Sequence, residues 1–315
     1  MGMSDYQFCT YFDAKYLVKG QALFRSLERW SGNFVLWVLC LDDMTYDVLL
    51  ALSNPKIRLV KMSELEAFEP RLLQAQSDRT LVEYYWTCTP TWVAYVLEKQ
   101  PAGTLVSYLD ADLFFFSSPE PVFKEAGSAS IIIHEHRFAP AYEFKAETSG
   151  IYNVGLTAFR SDALGWQALR WWQGACLEIC RLGPGYCGDQ KYLDDWPARF
   201  EGVHVLQHVG AGLAPWNMSK YQYGLSHGTL TIDGQPLIFF HFHAFQLVLR
   251  QLMGQHGYDI PELVRRHVYA PYVRALQRAV AEVRKVRPGY HAAFEWPRRS
   301  ELANDIRSGR FLWVW

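Results

Sequence analysis

The first 110 residues alternate between short β-prone apolar runs and stretches of helical periodicity, and few folds accommodate that alternation. YQFCTYF is a short apolar run closed by a polar turn at Asp13. LVKGQALFRSLERW places Leu17, Leu23, Phe24 and Leu27 at helical spacing. NFVLWVLCL is continuously apolar, the pattern of a strand covered on both faces. YDVLLALS predicts a helix and IRLVKM a strand. Residues 61 to 99 read as mostly helical, with Thr89-Pro90 as an N-cap and first-turn proline that open a new helix. TLVSYL is the next strand. The pattern predicts an α/β fold with a mostly parallel central sheet flanked by helices. In such sheets ligands bind beyond the carboxyl ends of the strands.

The TLVSYL run ends in that position with two carboxylates, Asp110 and Asp112, inside the otherwise apolar SYLDADLFFF. Neighbouring buried carboxylates repel and are costly unless a positive charge lies between them. On a strand, residues two apart share a side, so both carboxylates are expected to face one cation. Hard carboxylate oxygens suit Mg²⁺ or Mn²⁺, ions that also take phosphate oxygens. The bland alternative is a turn with two solvated aspartates; the apolar flanks argue against it. FFHFHAF raises the same question, because His241 and His243 also lie two apart at the end of an apolar strand. One imidazole would complete a carboxylate site and favour Mn²⁺.

The remaining pattern extends the fold. ASIIIHEHRF and GIYNVGLTAFR read as strands, WQALRWWQGACLEICRL as an amphipathic helix, and GPGYCGDQKYLDDWP as a glycine-rich loop. Val273, Leu276, Val280 and Val283 recur at helical spacing. With 315 residues, 50% of them hydrophobic, the chain can bury a large core. Six cysteines form no CxxC pair, and Cys176 and Cys180 are expected on one helix face. No signal peptide and no apolar run of about 18 residues is present, which predicts a reduced, cytoplasmic protein. The net charge of -1 carries no nucleic-acid signature. The segment from Glu262 to Trp315 is basic, however, with 11 Lys+Arg against 5 Asp+Glu. A solvated helical face explains that segment; peripheral association with an anionic membrane is the alternative.

Four stretches, taken in order, resemble the GT-A glycosyltransferases, close to the nucleotide-diphospho-sugar transferases around glycosyltransferase family 8. They are FCTYFDAKYLVKGQALFRSL, YLDADLFFF, YNVGLTAFR followed by GDQKYLDDW, and FFHFHAF. The resemblance covers roughly residues 6 to 246. It implies a GT-A, Rossmann-like sheet in a catalytic domain over residues 1–250, with a helical, basic and aromatic extension over 251–315. It implies metal ligation by Asp110, Asp112 and His241, with His243 on phosphate. Thr10, Tyr11, Asp13 and Tyr108 would border the nucleotide. Asn153, Asp189 and Gln190 would line the donor sugar and the reaction centre. The implied activity is metal-dependent transfer from a nucleotide-diphosphate sugar, UDP-sugar favoured, to a glycan or glycolipid hydroxyl, with retention of configuration.

The chain departs from the family where Ala244, Phe245 and Gln246 stand in place of a glycine and a diphosphate-gripping lysine. His243, Lys191 and Arg137 are the replacements that the sequence offers, and Arg79 is a weak stand-in for an arginine before the D-x-D. Glu135 and Asp194 join Asp189 as candidate bases should the reaction invert. Two other functions compete. One is a non-catalytic carbohydrate-binding scaffold. The other is a D-x-D phosphatase, disfavoured because Leu113, Phe114 and Phe115 follow the pair in mid-chain. Tyr84, Tyr85 and Trp86 are expected to be core rather than base-stacking residues, and Trp216 is open between sugar stacking and packing.

Overall fold

A computed structural model describes residues 6–248, 252–254, 258–295 and 311–313. Seven strands open the architecture: β1 (Tyr6–Phe12), β2 (Phe34–Cys40), β3 (Ile57–Lys61), β4 (Leu105–Leu109), β5 (Leu113–Phe115), β6 (Ile131–Glu135) and β7 (Tyr152–Arg160). Between and after them run α1 (Leu17–Trp30), α2 (Asp43–Leu52), α3 (Met62–Phe68), α4 (Arg71–Gln76), α5 (Leu81–Glu98), α6 (Glu120–Ala126), α7 (Lys145–Ser149) and α8 (Ala163–Glu178). The central sheet has the order β3-β2-β1-β4-β7-β6, continued by the Val203–Val205 strand. β3, β2, β1 and β4 are mutually parallel, and β7 alone runs against its two neighbours. The sheet is therefore mostly parallel, as the alternation predicts.

Each face of the sheet carries its own core. On one side Phe8 and Phe12 of β1 meet Leu23, Phe24 and Leu27 of α1. On the other, Cys9 meets α5 and α8 through Trp92, Leu169 and Trp172. Alternation along β1 sends successive side chains to opposite faces. α1 is buried almost all round because the Ala270–Val286 helix lies on its outer side, where Glu282 pairs with Arg25 at 3.1 Å. That C-terminal helix buries Val273, Leu276, Val280 and Val283, the positions that its periodicity marks. A four-stranded sheet follows, ordered Phe294–Glu295, Gln246–Val248, Leu252–Gly254, Phe311–Trp313. The extension is thus part strand as well as part helix. The 250/251 boundary falls inside one antiparallel pair of that sheet. Trp315 lies outside the described residues, and among those residues no helix is long and apolar enough to cross a membrane.

Two local expectations are corrected. No helix starts at Thr89-Pro90: α5 runs unbroken from Leu81 to Glu98 with Pro90 inside it. The true start is a capping box, in which Thr80 Oγ1 accepts from Glu83 N at 3.4 Å and Glu83 Oε2 accepts from Thr80 N at 3.0 Å. That box satisfies orphan donors at both ends of the first turn and outcompetes the proline signal. Cys180 does not share a helix face with Cys176, because α8 ends at Glu178 and Ile179 is extended. All six thiols are unpaired, and five are buried.

Candidate active site

The aspartate pair stands beyond the carboxyl end of β4, in the turn that connects it to β5. Asp110 O accepts from Leu113 N at 3.0 Å, and Asp110 N donates to Gly155 O of β7 at 2.9 Å. The two carboxylates converge because of this turn, and not through the two-residue repeat of a strand as the sequence pattern suggests. β5 then leaves the main sheet and pairs antiparallel with the Phe239–His241 strand, with His241 opposite Leu113. Phe242 N donates to Asp112 O at 2.9 Å, which locks that register. His241 is thereby delivered beside the pair, its Nε2 3.2 Å from Asp112 Oδ1 and 3.6 Å from Asp110 Oδ2. Ligand atoms of the three residues all lie within 4.8 Å of one another.

The imidazole is held from behind. His241 Nδ1 is 3.1 Å from Asn153 Oδ1, which also accepts from Gly155 N at 2.9 Å. With the proton on Nδ1, Nε2 turns its lone pair toward the carboxylates, the arrangement usual behind a metal-ligating histidine. Asn153 Nδ2 donates to Gln190 Oε1 at 2.9 Å and lies 3.2 Å from His136 Nε2. Gln190 Oε1 also accepts from Val154 N at 3.3 Å, and its Nε2 donates to Ser149 O at 2.8 Å. Gly155 must lack a side chain here: a Cβ would stand 2.6 Å from Asn153 Oδ1 and 2.9 Å from His241 Nδ1.

Burial and charge set the protonation of the group. Burial raises Asp112, but His241 and Lys19 outweigh it and hold the carboxyl well below its ordinary range. Asp110 goes the other way: burial raises it, His241 offsets part of the rise, and the Asp112 charge adds to it. His241 would be depressed by burial, yet Asp112 raises it above its usual value. Two carboxylate oxygens and one imidazole nitrogen suit Mn²⁺ or Mg²⁺, and three protein ligands leave positions for a bound diphosphate. The donor set therefore fits a divalent cation.

This corner forms the floor of a cleft of about 570 Å³. Tyr11, Asp13, Tyr108, Asn153, Asp189, Gln190 and His243 all border it, so most of the residues marked in the sequence come together. Tyr11 Oη is 3.0 Å from Thr89 Oγ1, and Tyr108 Oη donates to Asp110 Oδ1 at 2.7 Å. Asp13 Oδ1 accepts from the backbone N–H groups of Lys15 and Tyr16. Thr10 is the exception. It neighbours Tyr11 on a strand, so it points to the other side and is fully buried. Burial pushes the Asp189 carboxyl up to about 7; the Asp110 charge adds to the rise and a Thr89 hydrogen bond opposes it.

Other candidates stand elsewhere. Arg137 donates to the carbonyls of His208 and Ala211, outside the cleft lining. Lys191 pairs with Asp194 at 3.1 Å, and Asp194 Oδ1 also accepts from Ile151 N at 2.6 Å. Arg79 ties α5 to α8 through Thr87 Oγ1 and Leu177 O. Tyr84 is core, as expected, and the next two residues of α5, Tyr85 and Trp86, pack partly against the same core while also lining the cleft. Trp216 both packs and lines: its Nε1 donates to His136 O at 2.9 Å while its ring meets His241 and His243 edge-on. Phe138 stacks on His136 at 4.6 Å and extends the aromatic wall.

A mostly parallel sheet, an acidic turn after β4 and a histidine brought alongside by a second small sheet define the fold of GT-A glycosyltransferases. Glycosyltransferase GlyE of Streptococcus pneumoniae TIGR4 shares that fold. Its apo structure superimposes with a TM-score of 0.51 at 12% identity, over 90% of this chain and 64% of that one. No family model matches the chain. YfnD of Bacillus subtilis (strain 168) is 32% identical over 298 residues, covering 93% of this chain and 95% of YfnD. YfnF of the same strain is 30% identical over 297 residues, covering 90% and 96% respectively. The chain belongs to the family of YfnD and YfnF, both described as uncharacterized proteins.

Proposed function

We propose that the protein is a metal-dependent glycosyltransferase, moving a sugar from a nucleotide-diphosphate sugar, UDP-sugar favoured, to a hydroxyl of a glycan or lipid-linked acceptor. The observation that carries this reading is the convergence of Asp110, Asp112 and His241 on the floor of an aromatic-walled cleft. Breaking the anomeric C–O bond leaves negative charge on the departing diphosphate. A divalent cation bound there supplies Lewis-acid stabilisation of that charge.

The chain's own residues do the rest. Asp110, Asp112 and His241 hold the ion, and Asn153 orients His241 Nε2 toward it. Tyr11, Asp13 and the aromatic side chains of α5 border the nucleotide, with His243 beside the phosphates. Asp189 and Gln190 stand next to the sugar. The Gln190 amide is a poor nucleophile and its carbonyl is already engaged by Asn153 and Val154. With retention, as the family resemblance implies, the lack of a nucleophile there favours front-face attack assisted by the leaving phosphate over a double displacement. Residues 1–250 form the catalytic unit and 251–315 an extension on it. The exposed Arg274, Arg278 and Lys285 of the C-terminal helix favour a cytoplasmic enzyme working at an anionic membrane surface.

Calorimetric titration with UDP, with and without Mn²⁺, followed by a hydrolysis screen over sugar nucleotides, tests the reading. Metal-dependent binding and slow donor hydrolysis are expected, and Asp112→Asn is expected to abolish turnover while leaving the fold intact. A scaffold that keeps only the fold would show no metal-dependent binding, and full activity in excess EDTA would exclude the proposal.

A further inference from the structure

The polar turn between β1 and α1 puts Asp13, Lys15 and Tyr16 on the lining of the cleft, while Ala14 between them is buried. Tyr16 N donates to Asp13 O at 3.1 Å and closes the turn. Neither polar group of the Ala14 backbone is satisfied within it. Ala14 N donates to Asp42 Oδ2 at 2.8 Å, and Asp42 also caps α2 by accepting from Thr45 N at 2.7 Å. Ala14 O accepts from Tyr290 Oη at 2.7 Å, across 276 residues of chain.

Tyr290 owes its place to the end of the C-terminal helix. The helix closes with Arg287 N donating to Val283 O at 2.8 Å, and Pro288 has no N–H with which to continue it. The chain turns back instead, with Tyr290 N donating to Arg287 O at 3.0 Å. Arg284 fixes the turn from the last helical turns, its Nε and Nη2 donating to Tyr290 O at 3.2 and 3.1 Å. Because that helix is seated on α1, the Tyr290 ring enters the core shared with Phe12, Leu17 and Val18 and is only 2% exposed. A second tyrosine of the same extension, Tyr258, lines the cleft itself and meets Tyr142 at 5.1 Å.

We propose that Tyr290 is a positioning residue for the nucleotide: from the C-terminal extension its hydroxyl fixes the Asp13–Tyr16 turn, so the extension completes the donor site. This rests on the reading of that turn as the border of the nucleotide. A buried carbonyl left without a donor is costly, so without the hydroxyl the turn relaxes and its binding-competent arrangement is less populated. Apparent affinity then falls in proportion, for the part of the ligand that the turn touches. The metal corner lies on β4 and the Phe239–His241 strand and does not depend on this bond.

The test is calorimetry on the full chain, wild type and Tyr290→Phe, with Mn²⁺ alone, with pyrophosphate in saturating Mn²⁺ and with UDP in saturating Mn²⁺. Tyr290→Phe is expected to weaken UDP about three- to tenfold, the size of one hydrogen bond, and to leave Mn²⁺ and pyrophosphate within about twofold of wild type. Should Tyr290→Phe fail to fold, Arg284→Gln, which releases the Tyr290 carbonyl, takes its place with the same expectation. UDP affinity unchanged in the variant would show a tyrosine that only packs, and an equal loss of pyrophosphate would show a general disturbance of the site; either result overturns the inference. Absence of Mn²⁺-dependent UDP binding to the wild type overturns the functional reading instead.

Discussion

Asn153 Oδ1 stands 3.1 Å from His241 Nδ1, while the Asn153 amide nitrogen reaches Gln190 Oε1 at 2.9 Å. One amide thus ties a metal-ligand candidate to the loop that carries Asp189 and Gln190. Both its oxygen and its nitrogen are occupied, and the residue is almost fully buried. Its hydrogen bonds thus tie His241, Gly155, Gln190 and His136 together.

Replacing Asn153 with Ala should therefore weaken Mn²⁺ binding by roughly 10- to 100-fold, the usual cost of removing the partner behind a ligating histidine. Titration of Mn²⁺ against the folded variant, with circular dichroism as the control, measures this. An affinity within twofold of wild type would show that Asn153 does not orient His241.

Gly155→Ala should act on the same hydrogen bond from the other side. The added Cβ would come within 2.6 Å of Asn153 Oδ1 and 2.9 Å of His241 Nδ1, closer than real side-chain carbons approach. Overpacking of this kind costs about 1–3 kcal/mol. Urea denaturation should register that loss, and Mn²⁺ affinity should fall as it does in Asn153→Ala.

The two substitutions also separate what the chain's pattern disclosed from what it did not. The parallel half of the sheet and the position of the D-x-D beyond β4 were legible, because each is written in a short apolar run with a polar interruption; the run FFHFHAF left His241 and His243 open, and only the family resemblance pointed to His241. The turn geometry at 110–113 was not, since a D-x-D reads the same on a strand and in a turn. Thr10 was grouped with Tyr11 although strand alternation sets them on opposite faces. Tyr85 and Trp86 read as core rather than base-stacking residues; they do pack partly against the core, and the orientation of α5 also turns them to the cleft.

Asp189 gives a pH prediction for the metal-free protein. Burial raises its carboxyl from 3.8 to about 7 in the folded state. The folded chain therefore binds this proton more tightly than the unfolded chain does. The resulting stability is full below pH 4, declines as pH rises from 4 to 7, and is flat above that. Asp189→Asn should remove this decline. The variant should match wild type near pH 4 and exceed it at pH 8 by at most about 4 kcal/mol. Urea midpoints at the two pH values measure the difference; a constant offset would show that the group titrates normally.

Thr80→Ala should cost about 1 kcal/mol through loss of the capping box that starts α5. Thermal denaturation measures the loss. A neutral effect would mean that the helix takes its start elsewhere, as the Thr89-Pro90 pair first suggests.

The antiparallel pairing of β5 with the Phe239–His241 strand leaves the acidic turn and its histidine in different halves of the polypeptide, joined only late in the chain. A nascent chain has no complete coordination corner until that distant strand has emerged and docked. An ion captured there would staple the smaller sheet to the larger one, so metal should protect this seam from proteolysis more than any other part of the molecule.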